Sequence, residues 1–319
     1  MKSLLESHGY IPISFISEGK YSYVYKVYNL EDKKIYALKI ITSYPKESEK
    51  SIDFNEEIHA LSISSHQNVV KLCNVIQYNQ FLLLILEYSP YKLTDVIKMN
   101  PPESIIKGIM LMLLKGISHL HKLGIVHRDI KPSNILINQE GILKICDLGL
   151  CKFYIKDDKS TTQHETWSSQ AGTSYYRAPE LIFGSEKYDN KVDIWAVGCI
   201  MAELINGKVL FKSQNELEQI ELIMNLLGTP NENVWEDFAE ISDNAQLILK
   251  DKKPMNLHKV FPNWNDNEID LFSKLLVYDP KKRISALEAM GHNWFFSEPV
   301  PVACQFDGSK FDLFSRKYI

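Results

Sequence analysis

The segment His127-Arg128-Asp129-Ile130-Lys131-Pro132-Ser133-Asn134 is followed, one short hairpin later, by Lys144-Ile145-Cys146-Asp147-Leu148-Gly149. Phosphoryl transfer asks little covalent help of a protein. It needs a carboxylate beside the attacking hydroxyl, cations across the phosphates and oxygen ligands for a divalent metal. Asp129 is of the type that orients and deprotonates a hydroxyl, and Lys131 of the type that offsets charge on the transferred group. Asn134 and Asp147 supply the hard oxygens that Mg²⁺ prefers. Taken singly, each reads as a turn aspartate or a capping asparagine. Asp, Lys and Asn at fixed spacing in one loop, with a second Asp-x-Gly close behind, outweigh that reading.

Elements of two kinds must position these residues. Residues 10 to 90 are strand-rich: Tyr21 to Tyr28 and Ile35 to Ile41 are β-branched and aromatic, and Val75 to Tyr78 and Phe81 to Leu86 flank the turn Asn79-Gln80. Phe54, Ile58 and Leu61 recur at helical spacing between them. From Ile105 onward the pattern is helical, first in Ile106, Ile109, Met110, Leu113, Leu114, Ile117 and Leu120. Val192 to Leu204, Glu216 to Leu227 and Glu268 to Leu276 follow suit. The expected hinge lies at Glu87 to Lys92, where Ser89-Pro90 breaks the strand. The polar stretch Tyr154 to Gln170 is longer than most structureless connections, a mark of a functional or disordered loop.

Bulk properties exclude several classes. At 319 residues the chain suits roughly two lobes of about 150 residues each. Apolar residues make up 45% and charged residues 24%, which argues against global disorder. A net charge of −4 gives no general pull toward nucleic acid or anionic lipid. The apolar run Phe81 to Leu86 is far too short to cross a bilayer, and no secretion signal opens the chain. Five cysteines with no CxxC pair argue against a disulfide scaffold or zinc cluster and suit a reducing, cytoplasmic or nuclear compartment as structural bystanders.

The catalytic-loop segment matches in full the H-R-D-x-K-P-x-N pattern, and by it the chain resembles the eukaryotic protein kinase superfamily. Tyr36-Ala37-Leu38-Lys39 is similar to the family's strand-lysine motif, and strand alternation puts Ala37 and Lys39 on one face. His66-Gln67-Asn68-Val69-Val70-Lys71-Leu72 resembles H-P-N-I-V-K-L. Gly172-Thr173-Ser174-Tyr175-Tyr176-Arg177-Ala178-Pro179-Glu180 resembles the end of an activation segment. The resemblance implies an α+β bilobal fold: a small antiparallel β lobe with one helix (10–88) and a larger helical lobe (89–298), between an N-terminal extension (1–9) and a tail (299–319). The activation segment would run 147–180.

It further implies transfer of the γ-phosphate of ATP to protein Ser or Thr, with Mg²⁺ held by Asn134 and Asp147, Asp129 as base and Lys131 as charge stabiliser. Lys39 would clamp the α- and β-phosphates, paired with Glu57, the competing assignment being the adjacent Glu56. Adenine would sit between Val24, Ala37 and Leu136 against the backbone of Glu87 and Ser89. The phosphate loop would comprise Ile16, Ser17, Gly19 and Ser22. The family pattern G-x-G-x-x-G-x-V is reduced here to its middle glycine, so the serines should stiffen the hairpin and crowd the phosphates. Glu180 should pair with Arg283.

Within the superfamily, Arg177, Leu181 to Gly184 and Leu226-Leu227-Gly228-Thr229-Pro230 resemble the cyclin-dependent and MAP kinase group. Gly198 to Gly207 and Phe295 to Pro301 are similar to cell-cycle-related kinase and to single-subunit fungal kinases that activate cyclin-dependent kinases. The expected partner is a protein substrate, such as a cyclin-dependent kinase; the Glu57 helix lacks the PSTAIRE sequence, which leaves cyclin dependence unsupported. Ser168, with Thr166 and Ser169 as neighbours, occupies the place of an activating phosphosite whose charge would be met by Arg128. The rival reading is a pseudokinase scaffold, motivated by the altered glycine loop and opposed by the intact Asp129, Lys131, Asn134, Asp147 and Lys39.

Overall fold

The computed structural model describes residues 2–19, 22–41, 54–79, 81–154, 174–185, 188–245, 249–307 and 310–316. Strands β1 (Tyr10–Glu18), β2 (Ser22–Asn29), β3 (Ile35–Ile41), β4 (Leu72–Tyr78) and β5 (Phe81–Glu87) form one antiparallel sheet in the order β1-β2-β3-β5-β4. Successive side chains of a strand point to opposite faces, and the residues sort accordingly. Val27, Leu38, Ile40, Leu83 and Ile85 bury themselves in an outer cluster. Ile41, Leu84 and Leu86, with Ala37 packed against them, join the main core instead. Helix α2 (Phe54–Ile63) adds Ala60 and Leu61 to that main core.

The helical half follows β6 (Tyr91–Lys92) and α3 (Leu93–Ile97). Helix α4 (Glu103–Lys122) buries Ile105, Ile106, Ile109, Met110, Leu113, Leu114 and Ile117, the stripe that its periodicity predicts. Two short pairs come next: β7 (Ile125–Val126) is joined later by β10 (Lys152–Phe153), and β8 (Ile135–Ile137) by β9 (Leu143–Ile145). Helices α5 (Pro179–Ile182) and α6 (Lys191–Asn206) follow. Helix α6 is apolar on nearly every side and runs through the core, with Trp195 fully buried. Then come α7 (Glu216–Leu227), α8 (Phe238–Ala245), α9 (Leu257–Val260), α10 (Asp266–Leu275) and α11 (Ala286–Met290). Capping boxes, Asn265 with Glu268 and Ser285 with Glu288, fix where α10 and α11 begin.

A helix and a hairpin stand where the sequence suggests only an extension and a tail. Helix α1 (Lys2–Ser7) drops Leu5 into the outer cluster of the sheet. Strands β11 (Ala303–Asp307) and β12 (Lys310–Arg316) pair as a hairpin near the C-terminus. All five cysteines are free; Cys73 is exposed, and Cys151, Cys199 and Cys304 are buried. Among the described residues no helix is long and apolar enough to cross a membrane.

The segment between α2 and β4 ties the two halves together. Val70 donates its N–H to the Ile145 carbonyl at 2.8 Å, Ile145 donates to the Asn68 carbonyl at 2.9 Å, and Asn68 Nδ2 donates to the Leu143 carbonyl at 2.9 Å. Beside this anchor the rings of His66 and His119 stack at 4.7 Å, and His119 Nε2 is buried with no hydrogen-bond partner among the described residues. Burial, then the neighbouring imidazole and nearby lysines, holds His66 below the usual histidine range; burial and Lys122 do the same for His119. The unfolded chain therefore binds more protons here, so this stabilising term is present above about pH 6.5 and is lost as pH falls through the folded values. His119→Phe keeps a stacked ring and removes one titrating group. Urea midpoints at pH 7.5 and 5.5 should lie closer together in the variant than in the wild type. Equal pH sensitivity of the two proteins would exclude the stack as an acid-labile element.

Candidate active site

Cross-strand register assembles the roof of the cleft. Val24 and Leu84 both stand opposite Lys39, and Lys26 and Leu86 both stand opposite Ala37, so these six side chains share one face of the sheet. Val24, Ala37 and Lys39 are thus brought together as the sequence suggests. Leu84 and Leu86 belong to the same face, which a continuous apolar run could not reveal.

Lys39 is nearly buried, and its Nζ lies 2.6 Å from Glu57 Oε1 and 2.8 Å from Asp147 Oδ1. Burial pulls its pKa down, but Asp147 and Glu57 together push it above the ordinary lysine value. The Lys39 ammonium in turn holds the Asp147 carboxyl below the usual range. Glu56, the competing partner, points elsewhere and pairs with Lys152 at 2.8 Å. Only Glu57 therefore reaches the lysine.

The His127–Asn134 loop is held by Asp193 from the first turn of α6. Its Oδ2 accepts the N–H of His127 and its Oδ1 the N–H of Arg128, both at 2.9 Å, while His121 Nε2 lies 2.9 Å from Oδ2. Arg128 adopts φ 67°, and Asp147 adopts φ 63°, a left-handed backbone that L side chains rarely take up without external support. His127 accepts from the Asp129 N–H on Nδ1, so its proton sits on Nε2 and is donated to the Cys146 carbonyl at 3.0 Å. One imidazole thereby links the two aspartate-bearing segments.

Within the loop, Lys131 Nζ lies 2.8 Å from Asp129 Oδ2, and Asn134 Nδ2 donates to the same oxygen at 2.7 Å and to the Asp129 carbonyl at 2.9 Å. The amide nitrogen of Asn134 is thus committed to Asp129, which leaves its amide oxygen as the donor for a cation. Asp147 has one oxygen on Lys39 and a side chain that is half exposed. An amide oxygen and a carboxylate are the hard donor set that suits Mg²⁺, so the residues present fit that ion. Leu148 is fully buried and locks the segment after Asp147 into the core.

At the hinge the Glu87 carboxylate is already engaged, accepting the Lys71 N–H at 2.7 Å and pairing with Lys144 at 2.8 Å. Its side chain therefore steadies the hinge, and its N–H donates to the Lys71 carbonyl at 3.0 Å, which leaves the backbone carbonyl for a ligand. Ser89 is buried and its hydroxyl has no partner among the described residues. Leu136 lies on β8, opposite Lys92 and Lys144. Ile16 and Ser17 lie on β1, Ser17 opposite Val24, and the Gly19 N–H donates to the Ser22 carbonyl at 2.7 Å to close the hairpin.

A shelf lies beside Asp129. A cleft lined by Asp129, Lys131, Tyr176 and Arg177 is braced from behind: Tyr176 Oη donates to buried Glu203 at 2.5 Å, Arg177 pairs with Glu216, and Gln219 Nε2 donates to the Tyr175 carbonyl at 3.2 Å. Arg283, with no exposed surface, makes a bidentate pair with Glu180 at 2.9 and 3.1 Å, as expected. Ser168, Thr166, Ser169 and Gly172 lie outside the described residues.

Sequence reasoning missed Asp193, Glu203, Glu216 and Cys146. A lone aspartate inside the apolar run Val192-Asp193-Ile194-Trp195 is the one signal that could have exposed Asp193. Cys146 is more than a bystander in position, since its thiol donates to the Asn134 carbonyl at 3.2 Å and burial pushes its pKa up to about 12.

Comparison with known proteins identifies the family. The family described as protein kinase domain matches residues 10–295. Cyclin-dependent kinase 20 of Danio rerio is 39% identical over 290 residues, covering 90% of this chain and 83% of that protein. The Homo sapiens protein of the same name is 37% identical over 296 residues, with 92% and 84% covered. Cyclin-dependent kinase G1 of Arabidopsis thaliana is 35% identical over 309 residues, spanning 91% of this chain and 49% of that one.

Proposed function

This chain belongs to the protein kinase family, as a serine/threonine protein kinase of the cyclin-dependent-kinase-like group, and on that premise we propose that it transfers the γ-phosphate of ATP to a threonine of another kinase's activation loop. The observation that carries the catalytic half of this reading is the meeting of Lys39, Glu57 and Asp147 within 2.8 Å, beside a loop in which Lys131 and Asn134 both contact Asp129.

In this reading adenine enters between Val24 and Ala37 above and Leu136 below, with hydrogen bonds to the hinge backbone from Glu87 to Ser89. Lys39 holds the α- and β-phosphates and is itself oriented by Glu57. Asn134 and Asp147 would hold Mg²⁺, which when bound neutralises charge on the phosphate oxygens. Asp129 accepts the proton of the substrate hydroxyl as its oxygen bonds to the γ-phosphorus, and the bond to the β-phosphate oxygen breaks to leave ADP. Lys131 offsets the charge that develops on the transferred group. Positioning and electrostatics supply the rate, with no covalent enzyme intermediate.

One feature supports an activating role over a proline-directed one: Gly172 stands where proline-directed relatives carry a branched residue. Incubating the pure chain with Mg·ATP and an unphosphorylated cyclin-dependent kinase–cyclin pair should phosphorylate the activation-loop threonine. Transfer to a generic protein substrate with none to that threonine would retire the activating role and keep the kinase. No transfer to either would favour the pseudokinase scaffold.

A further inference from the structure

Lys107 lies on α4 with no exposed surface, far from Lys39 and Asp129 in sequence. A lysine is almost never fully buried unless its charge is met; here Glu103 on the same helix supplies the countercharge, and the C-terminal segment supplies three further oxygens. Its ammonium lies 2.9 Å from the Ser297 carbonyl, 3.0 Å from the Pro299 carbonyl, 3.2 Å from Ser297 Oγ and 3.1 Å from Glu103 Oε1. It also stands 5.7 Å from the centre of the Trp294 ring, and the Trp294 indole donates to the same Glu103 oxygen at 3.1 Å.

From this anchor the chain continues along α4. The Val302 N–H donates to the Ser104 carbonyl at 2.9 Å, and Cys304 is fully buried. The Cys304 carbonyl then passes over Gly141, in the turn between β8 and β9. A Cβ on Gly141 would fall 1.8 Å from that oxygen, and Gly141 has φ 79°, so only glycine lets the two backbones approach this closely. The β8–β9 hairpin has Asn134 just before it, Leu136 within it and Asp147 two residues beyond it. Its other holds are the pairing of β8 with β6, the Leu143 N–H on Met112 Sδ of α4 at 3.4 Å, and the bonds from Asn68 and Val70 to Leu143 and Ile145 of β9.

We propose that residues 297–304 form a strap that clasps the β8–β9 hairpin against α4, with Lys107 as its anchor. Lys107 is then a positioning residue, acting through the hairpin on the floor of the nucleotide site; this last step rests on the functional reading above. The strap adds a hold at the hairpin tip that neither strand pairing nor α4 supplies.

Two variants of the full chain test it. Lys107→Met removes the anchor, and Val302→Pro removes the amide on Ser104 while leaving Lys107 and the hairpin intact. Amide hydrogen exchange at Leu143 and Ile145 should quicken about tenfold in both, with the α6 amides unchanged. The KM for Mg·ATP should rise about fivefold while kcat and the KM for protein substrate stay within about twofold, a split that mere destabilisation would not produce. Lower melting temperatures with wild-type exchange at Leu143 and Ile145 and wild-type KM for Mg·ATP would overturn the strap. Should Lys107→Met fail to fold, Val302→Pro decides alone. Should the wild type transfer no phosphate, the exchange measurement still decides the strap, and the catalytic reading falls by itself.

Discussion

Asp129→Asn lowers kcat for phosphoryl transfer by about 10³-fold with little change in the KM for ATP, the magnitude expected when a general base is removed. The substitution is nearly isosteric, and an asparagine oxygen can still accept from Asn134 Nδ2, which now lies 2.7 Å from the carboxylate. Lys131, 2.8 Å away, loses its countercharge at a site that is partly solvated, so the fold is barely disturbed. The interaction lost is one made in the transition state, so kcat and kcat/KM should fall together. Steady-state kinetics on the wild type and the variant check this, with a thermal melt to show that both are folded. Equal turnover would remove Asp129 from the chemistry.

The second large effect is on stability. Arg283→Met strips the guanidinium from Glu180, whose side chain is 1% exposed, and abandons the carbonyls of Val277, Tyr278 and Lys191 that also accept from Arg283. Breaking a buried pair by removing one partner costs about 3–5 kcal/mol, because a carboxylate is left uncompensated in low dielectric. Urea unfolding of the variant should show a loss of that size. The double variant Arg283→Met/Glu180→Gln should recover part of it, since the stranded charge is gone; a double variant less stable than the single would show that the loss comes from packing instead. The penalty measures the breaking of the pair and not its net worth against an apolar replacement.

The side chains proposed for catalysis were legible in the sequence because their grouping depends on local spacing. Asp129, Lys131 and Asn134 lie within one loop, and alternation along β3 alone put Ala37 and Lys39 on one face. The choice between Glu56 and Glu57 was finer: adjacent helical positions point about 100° apart, and only packing shows which one faces β3. What could not be read depends on contacts across long stretches of chain. Lys107 reads as one more polar residue of an amphipathic helix, yet it is buried by oxygens 190 and 192 residues away. Helix α1 has six residues and is held through Leu5, too little for a periodic signal. The placement of buried Glu203 and Asp193 depends on Tyr176 and on the His127 amide, contacts that local spacing does not fix.

Leu148 has a consequence for inhibitors. Its side chain is wholly enclosed beside Asp147, so a backbone rearrangement that carries this segment out of the core exposes a leucine to water. That exposure costs about 2–3 kcal/mol, which leaves the rearranged form at roughly a few per cent of molecules or fewer. A compound selective for that form would show an affinity weakened by the reciprocal of this fraction, whereas one shaped to the resting cleft would carry no such handicap.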